Sequence, residues 1–136
     1  MTGRQIIRLL LCVLLAALVA FSFFWIAFAV GANRAWRAGE TALAAGNEVE
    51  AQAQFERSIR SYCPFNVWGR RSAEHLEAMA EGYEKAGNVE RAISAYESLM
   101  TSLAAIDTGW GSSRRATIDH LEKKVLSLRR GLADTK

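Results

Sequence analysis

The chain has two histidines, and both sit in nearly the same local phrase: Glu74-His75-Leu76-Glu77 and Asp119-His120-Leu121-Glu122. Histidine beside a carboxylate is raw material for a general base or a metal site, because imidazole titrates near neutrality and binds metals through either nitrogen. The spacing points away from both. A zinc hydrolase helix carries two histidines four apart with a glutamate between them, and each phrase here has one. Ligand sets need three or four suitably spaced donors. Glu74, His75 and Glu77 do not converge on a helix, since adjacent residues do not share a face. Both histidines therefore read as solvated or lightly hydrogen-bonded.

The cysteines offer no better start. Cys12 lies in an apolar run and Cys63 in the polar part of the chain, so a mutual disulfide is not expected. Cys63 has Pro64 and aromatic neighbours but no adjacent base to activate it. Leu9-Leu10-Leu11-Cys12 lacks the small residues that precede a lipoprotein cysteine. The ten glycines never form a phosphate-binding loop followed by Lys-Ser/Thr. The expectation is a protein with no catalytic residues, cofactor or metal, and not an enzyme.

Composition then divides the chain. Residues 1–32 hold no acid and only Arg4 and Arg8, which leaves fifteen Lys+Arg against fourteen Asp+Glu in residues 33–136. Cations interspersed with acids do not suggest a nucleic-acid surface, which gathers them on one face. Between Arg8 and Arg34 no residue is charged, and Leu9 to Val30 is almost wholly apolar. Twenty-two helical residues are about 33 Å long, enough for a hydrocarbon core of about 30 Å. Residues 9–30 therefore read as a transmembrane helix within an N-terminal segment of 1–32. The competing reading is a cleaved signal peptide with Ala27-Phe28-Ala29 as its site, against which stands the length of the apolar run. Ala16, Ala20, Ala27 and Gly31 would allow close helix contact within the membrane, beside an aromatic half that includes Phe24. The short N-terminal tail favours a cytoplasmic N-terminus with the rest across a bacterial inner membrane. The Lys/Arg counts either side of the span are nearly tied.

The remainder repeats itself. Ala45-Gly46-Asn47 and Ala86-Gly87-Asn88 are offset by 41 residues, and at the same offset Ala51 matches Ala92, Phe55 matches Tyr96 and Glu56 matches Glu97. Gly can take the left-handed conformation that ends a helix, and Asn can cap the next. Leu76, Met79, Ala80 and Tyr83 keep helical spacing, as do Ala92, Tyr96, Leu99 and Leu103, and Ile118, Leu121, Val125, Leu128 and Leu132. These predict soluble helices at about 33–45, 48–62, 70–86, 89–104 and 113–131. Pro64 follows the second of them.

This pattern resembles the tetratricopeptide repeat. The correspondence places Ala92 and Ala51 at the family's small position and Tyr96 and Phe55 at its aromatic one. Repeats of about 32–65 and 73–106 and a capping helix of 113–131 would fill a domain of residues 33–136. The resemblance implies an all-α chain: one N-terminal transmembrane helix, then two helical hairpins and a cap. It also raises the possibility of a peptide clamp, for which Arg37, Arg70, Arg71, Arg114 and Arg115 are the nearest candidates. In such a stack every first helix starts at the membrane edge. There Trp68, Arg70, Arg71, Trp110, Arg114 and Arg115, beside apolar loops at 63–69 and 105–112, would meet lipid or a membrane partner. Packing of Trp68 and Trp110 between repeats is the simpler alternative. The expected role is an accessory or scaffolding subunit of an integral membrane complex, with lipid bilayer and protein as partners, a homo-oligomer possible and no nucleic acid. A stand-alone peptide-binding adaptor is the alternative.

Overall fold

The computed structural model describes residues 3–61, 67–106 and 112–134. Five α-helices account for nearly all of them, and among the described residues there is no strand. They are α1 (Gly3–Ala44), α2 (Glu48–Arg60), α3 (Val67–Lys85), α4 (Val89–Ala105) and α5 (Ser112–Asp134).

The largest departure from the sequence reading is α1. The expected transmembrane helix and the expected soluble helix at 33–45 are one uninterrupted helix of 42 residues, about 63 Å long. Nothing at the boundary can break it. Gly31 costs only about 1 kcal/mol relative to Ala in a helix, and Asn33 and Arg34 are ordinary helix residues. The two halves of α1 differ instead in what covers them. Ile7 to Val30 carry exposed large apolar side chains. From Ala32, which is fully buried, α1 turns a small-residue face of Ala32, Ala35 and Gly39 to the other helices.

Three-residue turns join α1 to α2 and α3 to α4, and the two turns have the same construction. Gly46 and Gly87 have φ of 73° and 75°, a region that strains any residue with a Cβ. Asn47 N–H donates to the Ala42 carbonyl and Asn88 N–H to the Tyr83 carbonyl, both at 2.9 Å. Gly46 and Gly87 donate three residues back at 3.0 Å, which completes a Schellman ending. The same asparagines then cap the next helix, Asn47 Oδ1 accepting from Glu50 N–H and Asn88 Oδ1 from Arg91 N–H at 3.3 Å. The offset of 41 in sequence is thus a repeated turn in structure.

Each helix packs on the next along the chain, and α1 also touches α3 and α2 touches α4. One core results: Ala51, Phe55 and Ile59 from α2, Leu76 and Ala80 from α3, Ala92, Tyr96 and Leu99 from α4, and Leu121 and Val125 from α5. Burying each large apolar side chain contributes about 1.5–3 kcal/mol. The apolar spacings thus mark the buried faces. Ile118 and Leu132 remain at the rim of the α5 stripe, half-buried.

Candidate membrane-proximal interface

The contacts between helices fix which helix ends share an edge. Ser58, near the end of α2, donates from Oγ to the Ala32 carbonyl at 3.0 Å. Trp68, in the first turn of α3, stacks on Trp36 with ring centroids 4.9 Å apart. Ser98 of α4 donates to Glu56 of α2, so α4 ends beside the end of α2. Arg114, at the start of α5, donates to the Ile106 carbonyl just past α4 at 2.9 Å. The end of α2, the start of α3, the end of α4 and the start of α5 therefore gather where α1 passes into its exposed apolar half.

This span-side edge collects arginine. Four pairs line it, one each from α1 (Arg34, Arg37), α2 (Arg57, Arg60), α3 (Arg70, Arg71) and α5 (Arg114, Arg115). All are exposed except Arg114, which is half-buried. The acids described nearest to it are Glu40, Glu56, Glu74 and Asp119; Glu40 lies against His75, and Glu56 and Glu74 form loose pairs with Arg60 at 3.7 Å and Arg70 at 3.8 Å. Such exposed pairs are worth little and leave the cations available. Arg34, Arg37, Arg57 and Arg115 make no ion pair among the described residues. The described lysines, Lys85, Lys123 and Lys124, lie toward the opposite end. There Glu48 accepts from Tyr83 Oη and Arg91 Nη1, both at 2.9 Å, and Lys124 pairs with Glu84 at 3.2 Å. The charges that alternate along the sequence are thus segregated by the fold, which corrects the reading of cations spread without a face.

The individual site residues fare differently. Trp68 lies inside α3, not in the turn expected at 63–69. Half-buried against Trp36, it fills the space between α1 and α3, the simpler of the two roles considered. The Arg71 guanidinium lies 5.2 Å from the Trp68 ring centroid and 5.9 Å from that of Trp36, a cation–π contact that covers both indoles. Trp36 completes this sandwich, and sequence reasoning passed over it. Its indole nitrogen is buried without a hydrogen-bond partner. The clue available was the i, i+3, i+4 spacing of Ala32, Ala35 and Trp36 along one face of α1. Arg57 and Arg60 were also missed. At the C-terminal end of a helix they complement the macrodipole, which disguises any further role. Trp110, Cys63 and Pro64 lie outside the described residues.

The two histidine phrases are not equivalent in space. His75 stacks on Phe55 at 5.3 Å and 14° between planes, with Nε2 3.3 Å from Glu40 Oε1. It is a half-buried packing residue between α1, α2 and α3, lightly paired rather than fully solvated. His120 is exposed on α5. No group of three or more potential metal-ligating side chains occurs among the described residues. Cys12 is a free, exposed thiol on the apolar half of α1.

No family model, curated protein or solved structure matches this chain. Among the described residues, one helix is long and apolar enough to cross a membrane. Its most apolar 18-residue window has a mean hydropathy of 2.8 with no residue buried, and a signal sequence would meet the same test. On that segment Ala16, Ala20, Phe24, Ala27 and Gly31 are exposed. Phe24 rests on Phe28 at 4.7 Å, and a Cβ at Gly31 would meet nothing within 4 Å. Among the described residues, these small residues thus face no other element.

Proposed function

We propose that this chain is a non-enzymatic, single-pass membrane protein whose helical domain, two tetratricopeptide-like hairpins and a cap, serves as a scaffolding subunit of a larger membrane complex. The observation that carries this reading is the continuity of α1. An apolar segment whose large side chains are exposed, apart from the half-buried Trp25, becomes, without a linker, the first buried helix of the domain. A helix of 24 residues from Ile7 to Val30 is about 36 Å long, and crossing a bilayer accounts for such exposure. A tethered adaptor that searches for ligands gains reach from a flexible connection, whereas a rigid one fixes the domain's orientation to the bilayer. The exposed small and aromatic residues of the span offer a surface for another membrane helix.

The peptide-adaptor reading draws less support. Its arginines belong to the span-side edge. Among the described residues, a shallow open groove of about 460 Å³ at the opposite end is lined by Glu81, Glu84, Lys85 and Lys124, whose mixed charges offer no clamp for a carboxylate.

The test is mild detergent extraction of a tagged full-length chain, with mass spectrometry of what co-purifies. A defined set of integral membrane proteins should accompany it. Inserting a six-residue Gly-Ser linker after Val30 should release that set while the chain stays in the membrane fraction. Recovery of the chain alone, or retention of the set despite the linker, would argue against a rigidly held subunit.

A further inference from the structure

The arginine pairs outnumber what the fold needs, and their position says what they could meet. Arg34 and Arg37 lie about 6 and 11 Å along the axis from Val30, the last large apolar residue of the exposed segment. A bilayer's polar layer is several Å thick on each side of its hydrocarbon core. If α1 crosses the bilayer, the pair reaches headgroup depth, and the pairs on α2, α3 and α5 are ranged beside it by the contacts already described. The N-termini of α3 and α5 and the C-termini of α2 and α4 share this edge, so their dipole ends offset one another and the positive charge there is that of the arginines. Every cation on this edge is arginine. Its planar fork bonds two phosphate oxygens at once, while lysine presents a single point charge.

We propose that the span-side edge is a phospholipid-binding collar that holds the phosphates of anionic lipids in the leaflet beneath the domain. The lipid, not a soluble phosphate or an acidic protein, is the occupant because this arginine edge extends sideways from α1 at the level where its exposed apolar segment ends. This rests on the membrane-spanning reading of α1. Trp36 and Trp68 act as the floor on which Arg71 is held, rather than as lipid anchors themselves.

The test uses the full chain in nanodiscs of equal phosphatidylglycerol and phosphatidylcholine, with native mass spectrometry of the lipids retained on release. Arg4→Gln and Arg8→Gln are present throughout, so that cations at the other end of the span do not contribute. The chain should keep phosphatidylglycerol over phosphatidylcholine. Replacing Arg34, Arg37, Arg57 and Arg115 with Gln should lower that preference roughly tenfold, since each cation near an anionic surface contributes separately. The same change at Arg129 and Arg130, away from the collar, should leave it intact. Circular dichroism confirms that each variant keeps its helices. Equal retention of the two lipids by the parent chain, or an unchanged preference after loss of the four arginines, overturns the collar. Carbonate washing of membranes separates the two ideas: a chain that resists washing but shows no lipid preference defeats only the collar, and one that washes off defeats the spanning helix and the collar with it.

Discussion

At Gly39 the fold depends on the absence of a side chain. A Cβ there would lie 2.6 Å from Phe55 Cε1 and 2.7 Å from Cδ1, and the Phe55 ring is fully buried with His75 stacked on it. The ring therefore has little room to move aside. Overpacking of this kind costs about 1–3 kcal/mol, against about 1 kcal/mol recovered by removing a helical glycine. Gly39→Ala is expected to lower the thermal midpoint of the full chain in detergent, by a net loss of up to about 2 kcal/mol. An unchanged or higher midpoint would show that α1 and α2 are not this close. The sequence marks Gly39 only weakly, because a helical glycine carries no sign of what approaches it. The same holds for His75: its phrase suggests chemistry, while its role is set by Phe55 and Glu40, 20 and 35 positions away.

Between elements, two tyrosines link helices through carboxylates. Tyr83 of α3 donates to Glu48 of α2 at 2.9 Å, and Tyr96 of α4 donates to Glu84 of α3 at 3.1 Å. Burial is the main cause that raises both phenols above their usual value of 10.0, and the hydrogen bonds to Glu48 and Glu84 add to it. Lys124 is raised as well, chiefly by its hydrogen bond to Tyr96 and despite partial burial. In each case the folded state holds its proton more tightly than the unfolded chain. That stability is complete below the unfolded pKa and is lost as pH rises through the raised folded one. The thermal midpoint should fall as pH is taken above about 10, and it should fall less steeply in the Tyr83→Phe, Tyr96→Phe variant. Parallel curves for the two proteins would remove the tyrosines as the cause. These helices were legible in the sequence because their apolar stripes and Gly-Asn turns are local patterns. The fusion within α1 was not: the change from exposed to buried at Ala32 is a change of surroundings, and the helix itself has no signal there.

For the whole molecule, the segregation of charge is the property least visible in one dimension. Arg57, Arg60, Arg70 and Arg71 stand among acids when read along the chain. Helices that reverse direction at each turn bring alternate ends together, so the arginines meet at one edge while Glu48, Glu81, Glu84 and Glu90 go to the other. With α1 crossing a bilayer as proposed, its unbroken helix and this edge would give the domain one orientation to the membrane. Spin labels can measure it directly on the full chain in nanodiscs containing nickel-chelating headgroups, with Cys12 and Cys63 changed to Ser. Labels at Ala104→Cys and Ala116→Cys, on the span-side edge, should relax strongly with headgroup nickel. Labels at Val49→Cys and Gly82→Cys, about 20 Å farther along the helices, should relax little. Equal relaxation at all four sites would contradict the account, because it would mean that the domain tumbles freely above the membrane or does not face it by this edge.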